Sequence, residues 1–191
     1  MTLEALVART RERLAGRRRR VVPLGPLVRA AVLVPLIDRD GPRLVFAKRT
    51  DRVGTHRGQI SFPGGALDPA DPSLLDTALR ESEEEVGLPR RAVEPLGALD
   101  DTETVATQFV ITPWVGVVRE PVVWRPDGEE IEKVIEVPFA ALVEPANARV
   151  ERREREGVVR EVYFYDYGGE TIWGATARIV KDYLDLVTGA P

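Results

Sequence analysis

Apolar residues recur at two spacings along this chain, and the change from one to the other lays out its elements. Between Thr2 and Ala15, Leu3, Leu6, Val7 and Leu14 share one side of a helical period, while Arg9, Arg11, Glu12 and Arg13 fall largely elsewhere. That predicts an amphipathic helix capped by Thr2 and stopped by Gly16. Leu27 to Ile37 is a near-continuous apolar run rich in β-branched residues, hence a buried strand. A turn at Asp38-Arg39-Asp40-Gly41-Pro42 returns the chain as a second strand, Arg43 to Lys48. After a polar loop, Gln59 to Phe62 reads as a short strand. Leu75, Ala78, Leu79, Ser82 and Val86 then form a stripe at about 100° per residue, which predicts a helix from a Ser73 N-cap to Gly87, with Pro89 just beyond. Further strands are expected at Val93–Leu99, at Gln108–Val118 with an interruption at Pro113, and at Ile131–Val137. A short helix over Pro138–Leu142, a hairpin of Ala148–Arg155 with Val158–Tyr167, and a strongly periodic helix over Trp173–Val187 complete the series. Hairpins, a helix, more strands and a last helix describe an α+β fold, a mixed β-sheet between helices. Pro23, Gly25 and Pro26 divide residues 1–26, a helix and linker, from a main domain over 27–191. The basic run Arg17–Arg20 reads as a solvated linker, with a targeting signal or a phosphate-binding patch as alternatives.

Composition narrows the chemistry. With no cysteine, thiolate metal sites, disulfides and a cysteine nucleophile are excluded. A single histidine makes a histidine-based zinc site or a Ser-His triad hard to build. A net charge of −4 argues against a general nucleic-acid binder. No apolar run reaches the roughly 18–20 residues of a membrane span, and the first residues lack the apolar stretch of a signal peptide. A cytoplasmic protein acting on a small molecule is therefore expected.

The 73–87 helix carries the candidate chemistry. Glu81, Glu84 and Glu85 fall on an arc about 100° wide, roughly opposite the apolar stripe. Like charges at i,i+3 and i,i+4 each cost roughly 0.2–0.5 kcal/mol, and these lie in the last two turns, where the helix dipole also disfavours them. A divalent cation would turn that repulsion into attraction, since carboxylate oxygens are the ligands Mg²⁺ and Mn²⁺ prefer. The alternative is a solvated acidic face. The preceding loop, Ser61-Phe62-Pro63-Gly64-Gly65, favours the cation, because two glycines permit close backbone approach.

The stretch from Gly65 to Leu88 resembles the Nudix box, G-x5-E-x7-R-E-U-x-E-E-x-G-U with U apolar. Gly65, Arg80-Glu81, Glu84-Glu85, Gly87 and Leu88 match it. Asp71 stands for the first box acid with one extra residue before Arg80, and Ser82 occupies a U position. The stretch before it is similar to the signature of the coenzyme A pyrophosphatase branch, roughly L-L-T-x-R-[ST]-x3-R-x3-G-x3-F-P-G-G. Arg49, Thr50, Gly58, Phe62, Pro63, Gly64 and Gly65 match, while Gly54 stands where the branch has its second Arg. The resemblance implies the Nudix fold, an α/β/α sandwich, and Mg²⁺- or Mn²⁺-dependent hydrolysis of a diphosphate. The branch implies coenzyme A as substrate, with 3′,5′-ADP and 4′-phosphopantetheine as products. The rival substrate is another nucleoside diphosphate derivative such as NADH or ADP-ribose, and the remaining alternative is a non-catalytic binding module. By resemblance, Glu81, Glu85 and the Gly64 carbonyl hold metal, and Glu84 binds a second ion or acts through water. Arg80 pairs with Asp71 or Asp68 and orients the cluster. Glu84 and Glu130 are both candidates for the general base, Glu130 also for a further metal ligand, and Glu103 is a weaker candidate. Lys48, Arg49, Arg52, His56 and Arg57 are the candidate substrate contacts, since planar guanidinium groups suit phosphate. A homodimer through the N-terminal helix is a further possibility.

Overall fold

The apolar run at Leu27–Ile37 is nearly continuous because its strand is covered on both faces. In the computed structural model, which describes residues 1–23, 25–51, 58–104, 108–155 and 157–189, Val32, Val34 and Leu36 face one core and Ala31, Leu33 and Ile37 the other. In chain order the strands are β1 (Val28–Asp38), β2 (Pro42–Arg49), β3 (Ile60–Ser61), β4 (Gly64–Ala66), β5 (Val93–Ala98), β6 (Thr102–Glu103), β7 (Phe109–Val118), β8 (Ile131–Pro138), β9 (Ala148–Arg155), β10 (Val158–Tyr167) and β11 (Glu170–Trp173). The helices are α1 (Leu3–Ala15), α2 (Leu74–Val86), α3 (Phe139–Val143) and α4 (Gly174–Thr188).

β1 and β7 run parallel at the centre of a mixed sheet, and the remaining pairings in it are antiparallel. One edge of β1 is shared. Its first half pairs with β4 through Ala30–Ala66, Ala31–Gly65 and Val32–Gly64, and its second half pairs with β2. β8 lies along the far edge of β2. The second core packs under α2, with Ala78 and Val86 against Leu33, Val45 and Ala47. The first core lies under α1 and α4, where Leu6, Val7, Ile179 and Tyr183 meet Val34, Phe46 and Val115. A mixed sheet between helical layers is the architecture expected. β9, β10 and β11 form a separate three-stranded sheet.

Several details differ from the sequence reading. Gly64 and Gly65, expected at the end of a loop, form β4 with Ala66 on the edge of β1. β7 continues through Pro113, which lies where its antiparallel neighbour changes from β5 to β6 and whose carbonyl still accepts the Leu99 amide at 2.8 Å. Trp173 ends β11 rather than opening the last helix, which begins at Gly174. The run Arg17–Arg20 is not simply solvated. Arg17 pairs with Asp100 at 3.0 Å, the Arg20 amide donates to Asp100, and Arg19 and Arg29 both reach the fully buried Asp101. Thr112 and the Val22 amide supply two more donors to Asp101, so the buried carboxylate is matched on every side. Among the described residues no helix is long and apolar enough to cross a membrane.

Candidate active site

α2 is built as its sequence prescribes. Ser73 Oγ accepts from the Asp76 amide at 3.2 Å, and Gly87 ends the helix in the left-handed region at φ 71°. Ser82 is buried because its hydroxyl donates to the Ala78 carbonyl at 2.6 Å, which lets a polar residue occupy the apolar stripe.

Three of the acidic residues do not share one environment. Glu84 is exposed, Glu81 is half-buried and Glu85 is buried at 7% exposure. The expectation that Glu85 lies on the arc away from the core is therefore corrected. Seven residues separate it from Ala78, which brings it round to within about 20° of that core position, and β4 covers it there. Its Oε2 accepts the Gly64 amide at 3.0 Å. Burial pushes the Glu85 carboxyl up to about 8, helped by the charges of Glu81 and Glu130 and opposed by the Gly64 amide and Arg49. Glu81 is also raised, first by burial. The Glu81 carboxylate lies over the backbone of Gly65, where a Cβ would meet its Oε1 at 2.5 Å. The two glycines therefore serve two contacts: Gly64 presses β4 onto β1, and Gly65 leaves room for Glu81.

Arg80 gathers the outer acids. Its Nε and Nη2 donate to the two oxygens of Asp71 at 3.0 and 2.9 Å, a bidentate pair that holds the Asp71 carboxyl well below the usual range. Its Nη1 donates to Glu81 at 2.9 Å and to Glu84 at 3.0 Å. The extra residue before Arg80 thus leaves the pairing with Asp71 intact. Among the described residues no three acidic side chains are already drawn round one cation position. The reason is visible: Arg80 Nη1 takes the place between Glu81 and Glu84, and Glu85 is turned to the Gly64 amide. The donor set is all carboxylate oxygen, which suits a hard divalent ion. A buried, partly uncompensated acid pair is the electrostatic complement of such a charge.

Strand alternation sorts the neighbouring cations. Arg49 points to the α2 side, where it reaches Glu130 at 2.7 Å and Glu85 at 4.0 Å. Its Nε is buried with no hydrogen-bond partner among the described residues. Lys48 lies on the opposite face of β2 and donates to Glu170 of β11 at 2.9 Å, a carboxylate it shares with Lys133. Arg52, His56 and Arg57 lie outside the described residues. Glu130 is held from its backbone, since its carbonyl accepts the Thr50 amide at 2.8 Å. Glu103 is exposed in β6 opposite Val110. The structure thus brings Arg49, Gly64, Arg80, Glu81, Glu84, Glu85 and Glu130 together and sets Lys48 apart.

Sequence reasoning missed Asp127. The loop it belongs to reads as a polar connection, yet its backbone caps α2, with the Arg125 amide on the Val86 carbonyl at 2.9 Å and the Asp127 amide on the Glu85 carbonyl at 3.1 Å. The only signal for it is the Asp127-Gly128 pair, an ordinary turn dipeptide.

Comparison with known proteins adds the family. The NUDIX domain family matches residues 27–161. A Yersinia enterocolitica protein, described as an uncharacterized Nudix hydrolase NudL, is 39% identical over 152 residues, covering 80% of this chain and 77% of that protein. The NudL of Yersinia pestis is also 39% identical, over 160 residues that cover 84% of this chain and 80% of that one. Among solved structures, a MutT/nudix family protein from Enterococcus faecalis superposes with a TM-score of 0.57 at 17% identity, over 85% of this chain and 62% of that chain. An Ap4A hydrolase from C. elegans gives 0.50 at 18%, over 60% of this chain and 82% of that one. At such identities the two structures speak for the fold alone. The family match runs from just before β1 into β10, the whole stretch that carries the carboxylates and the arginines between them, and it makes the chain a member of the Nudix hydrolases, a pyrophosphohydrolase.

Proposed function

We propose that the protein hydrolyses the diphosphate bond of coenzyme A or one of its derivatives in the cytoplasm, releasing 3′,5′-ADP and 4′-phosphopantetheine, with Mg²⁺ or Mn²⁺ as cofactor. The observation that carries this reading is Arg49. It is the first matched residue of the stretch similar to the coenzyme A pyrophosphatase branch, and its guanidinium stands between Glu85 and Glu130 with a buried Nε that has no hydrogen-bond partner among the described residues.

Nudix hydrolases generally work with divalent ions. Here Glu81 and Glu85, with the carbonyl of Gly64, are the residues that would hold one, and Glu84 would serve a second ion or act through water. When bound, such an ion would supply charge neutralisation for the diphosphate and would acidify water toward neutral pH. Arg80, fastened to Asp71, keeps Glu81 aimed across Gly65. Arg49 donates to the diphosphate, and Arg52, His56 and Arg57 supply further phosphate contacts. Glu130 accepts the proton of the water that attacks phosphorus in line with the leaving phosphate, and charge neutralisation and positioning provide most of the rate.

Incubation with coenzyme A and Mn²⁺, followed by product identification, tests the proposal. The expected products are the two named above. A panel containing NADH and ADP-ribose separates the rival substrate class, which the presence of Gly54 in place of the branch's second Arg favours. Faster cleavage of either would replace coenzyme A as the substrate. Glu130→Gln is expected to slow turnover by about 10²–10⁴-fold and to remove the acid limb of the pH–rate profile. An unchanged profile would exclude Glu130 as the base.

A further inference from the structure

Glu85 and Glu130 come from distant parts of the chain; Arg49 reaches both carboxylates, and Asp127 ties their backbones together. The Asp127 amide donates to the Glu85 carbonyl at 3.1 Å, one of the terminal carbonyls that α2 cannot satisfy within itself. The Asp127 carboxylate turns the other way. Its Oδ1 accepts the amides of Glu129, Glu130 and Ile131, each at 2.9 Å. Gly128 makes the reversal possible at φ 75°, and its amide donates to the Ile131 carbonyl at 3.1 Å. From the other side Thr50 holds two of these three residues, its amide on the Glu130 carbonyl at 2.8 Å and its hydroxyl on the Glu129 carbonyl at 3.0 Å. The last turn of α2 and the entry to β8 are thus joined through one residue, its amide on the helix and its carboxylate on the strand entry.

We propose that Asp127 is a positioning residue for hydrolysis: it sets where Glu130 stands relative to Glu85, and it does so as a hydrogen-bond acceptor rather than as a charge. This rests on the role given to Glu130 above. All three donors converge on one oxygen, so an asparagine, whose Oδ1 is also an acceptor, keeps the arrangement. Residues 127–130 are exposed, so water replaces the acceptor when it is removed, and the loss falls on geometry rather than on global stability.

The test compares Asp127→Ala, Asp127→Asn, Glu130→Gln and the double variant Asp127→Ala/Glu130→Gln in the full chain. The substrate is whichever of coenzyme A, NADH and ADP-ribose the wild type cleaves. Asp127→Ala is expected to lower kcat by about 10–100-fold with KM little changed, and Asp127→Asn to stay near wild type. The double variant should be no slower than Glu130→Gln, because the two residues act through one atom position. Amide hydrogen exchange at Glu129, Glu130 and Ile131 should speed up in Asp127→Ala and not in Asp127→Asn. Equal losses in Asp127→Asn and Asp127→Ala, or losses that multiply in the double variant, overturn the inference. Impaired Glu130→Gln beside unimpaired Asp127→Ala overturns it alone, whereas normal turnover by Glu130→Gln overturns the role of Glu130 and this inference with it.

Discussion

Two adjacent glycines answer to different neighbours, and one added methyl group distinguishes them. At Gly65 a Cβ would meet the far end of the Glu81 side chain, whereas at Gly64 it would meet the backbone carbonyl of Ala31 at 2.3 Å. Gly65→Ala should therefore leave the melting temperature close to wild type and weaken Mn²⁺ binding, read by titration. Gly64→Ala should lower the melting temperature itself, because β4 must lift from β1. Glu85 carries a pH signature. Its carboxyl ionises near 4.3 in an unfolded chain but is pushed up to about 8 in the fold, first by burial. Between those values the folded protein holds a proton that the unfolded chain has lost. The stability this contributes is complete below about pH 4 and disappears as pH rises through about 8. In EDTA, Glu85→Gln should then melt above wild type at pH 8, with the difference closing toward pH 5, while its turnover at saturating Mg²⁺ is lost. Near-normal turnover by that variant would remove Glu85 from the metal site.

At the level of elements, α2 was legible almost to the residue, because Ser73, the apolar stripe and Gly87 are each local signals. The pairing of Arg80 with Asp71 was legible too, as one of two options. What was not legible depends on neighbours distant in sequence. Nothing within α2 says that β4 will lie over Glu85, and nothing in Gly64-Gly65-Ala66 distinguishes a turn from a strand that borrows the edge of β1. The exchange of β5 for β6 beside Pro113 is likewise a property of the sheet. The Arg80–Asp71 pair belongs to this scale, since it joins the helix to the segment leading into it. Asp71→Asn should lower divalent-ion affinity by about 10–100-fold, seen in Mn²⁺ titrations, while the helix itself persists by circular dichroism. An unchanged affinity would make the pair structural only.

For the molecule as a whole, α1 is an integral layer. It lies outside the family match at 27–161, yet Leu6 is fully buried in the larger core. Leu6→Ala should cost about 2–5 kcal/mol, measured by urea unfolding, and a loss under about 1 kcal/mol would mean that the helix is only loosely attached. Its amphipathic pattern was plain from the sequence, but not its destination. The basic run behind it illustrates the same limit: four arginines read as solvent-loving until Asp100 and Asp101 arrive beside them from the far end of β5.

Thr10 and Tyr183, whose hydroxyls meet at 3.0 Å inside that layer, are separated by 173 positions along the chain. Helix α1 also rests on β1 and β5, which precede α4 in the chain, so those contacts can form first. Only the face that meets Tyr183 must wait for α4, and closing it over so long a separation in sequence makes this seam a late and slow step of folding.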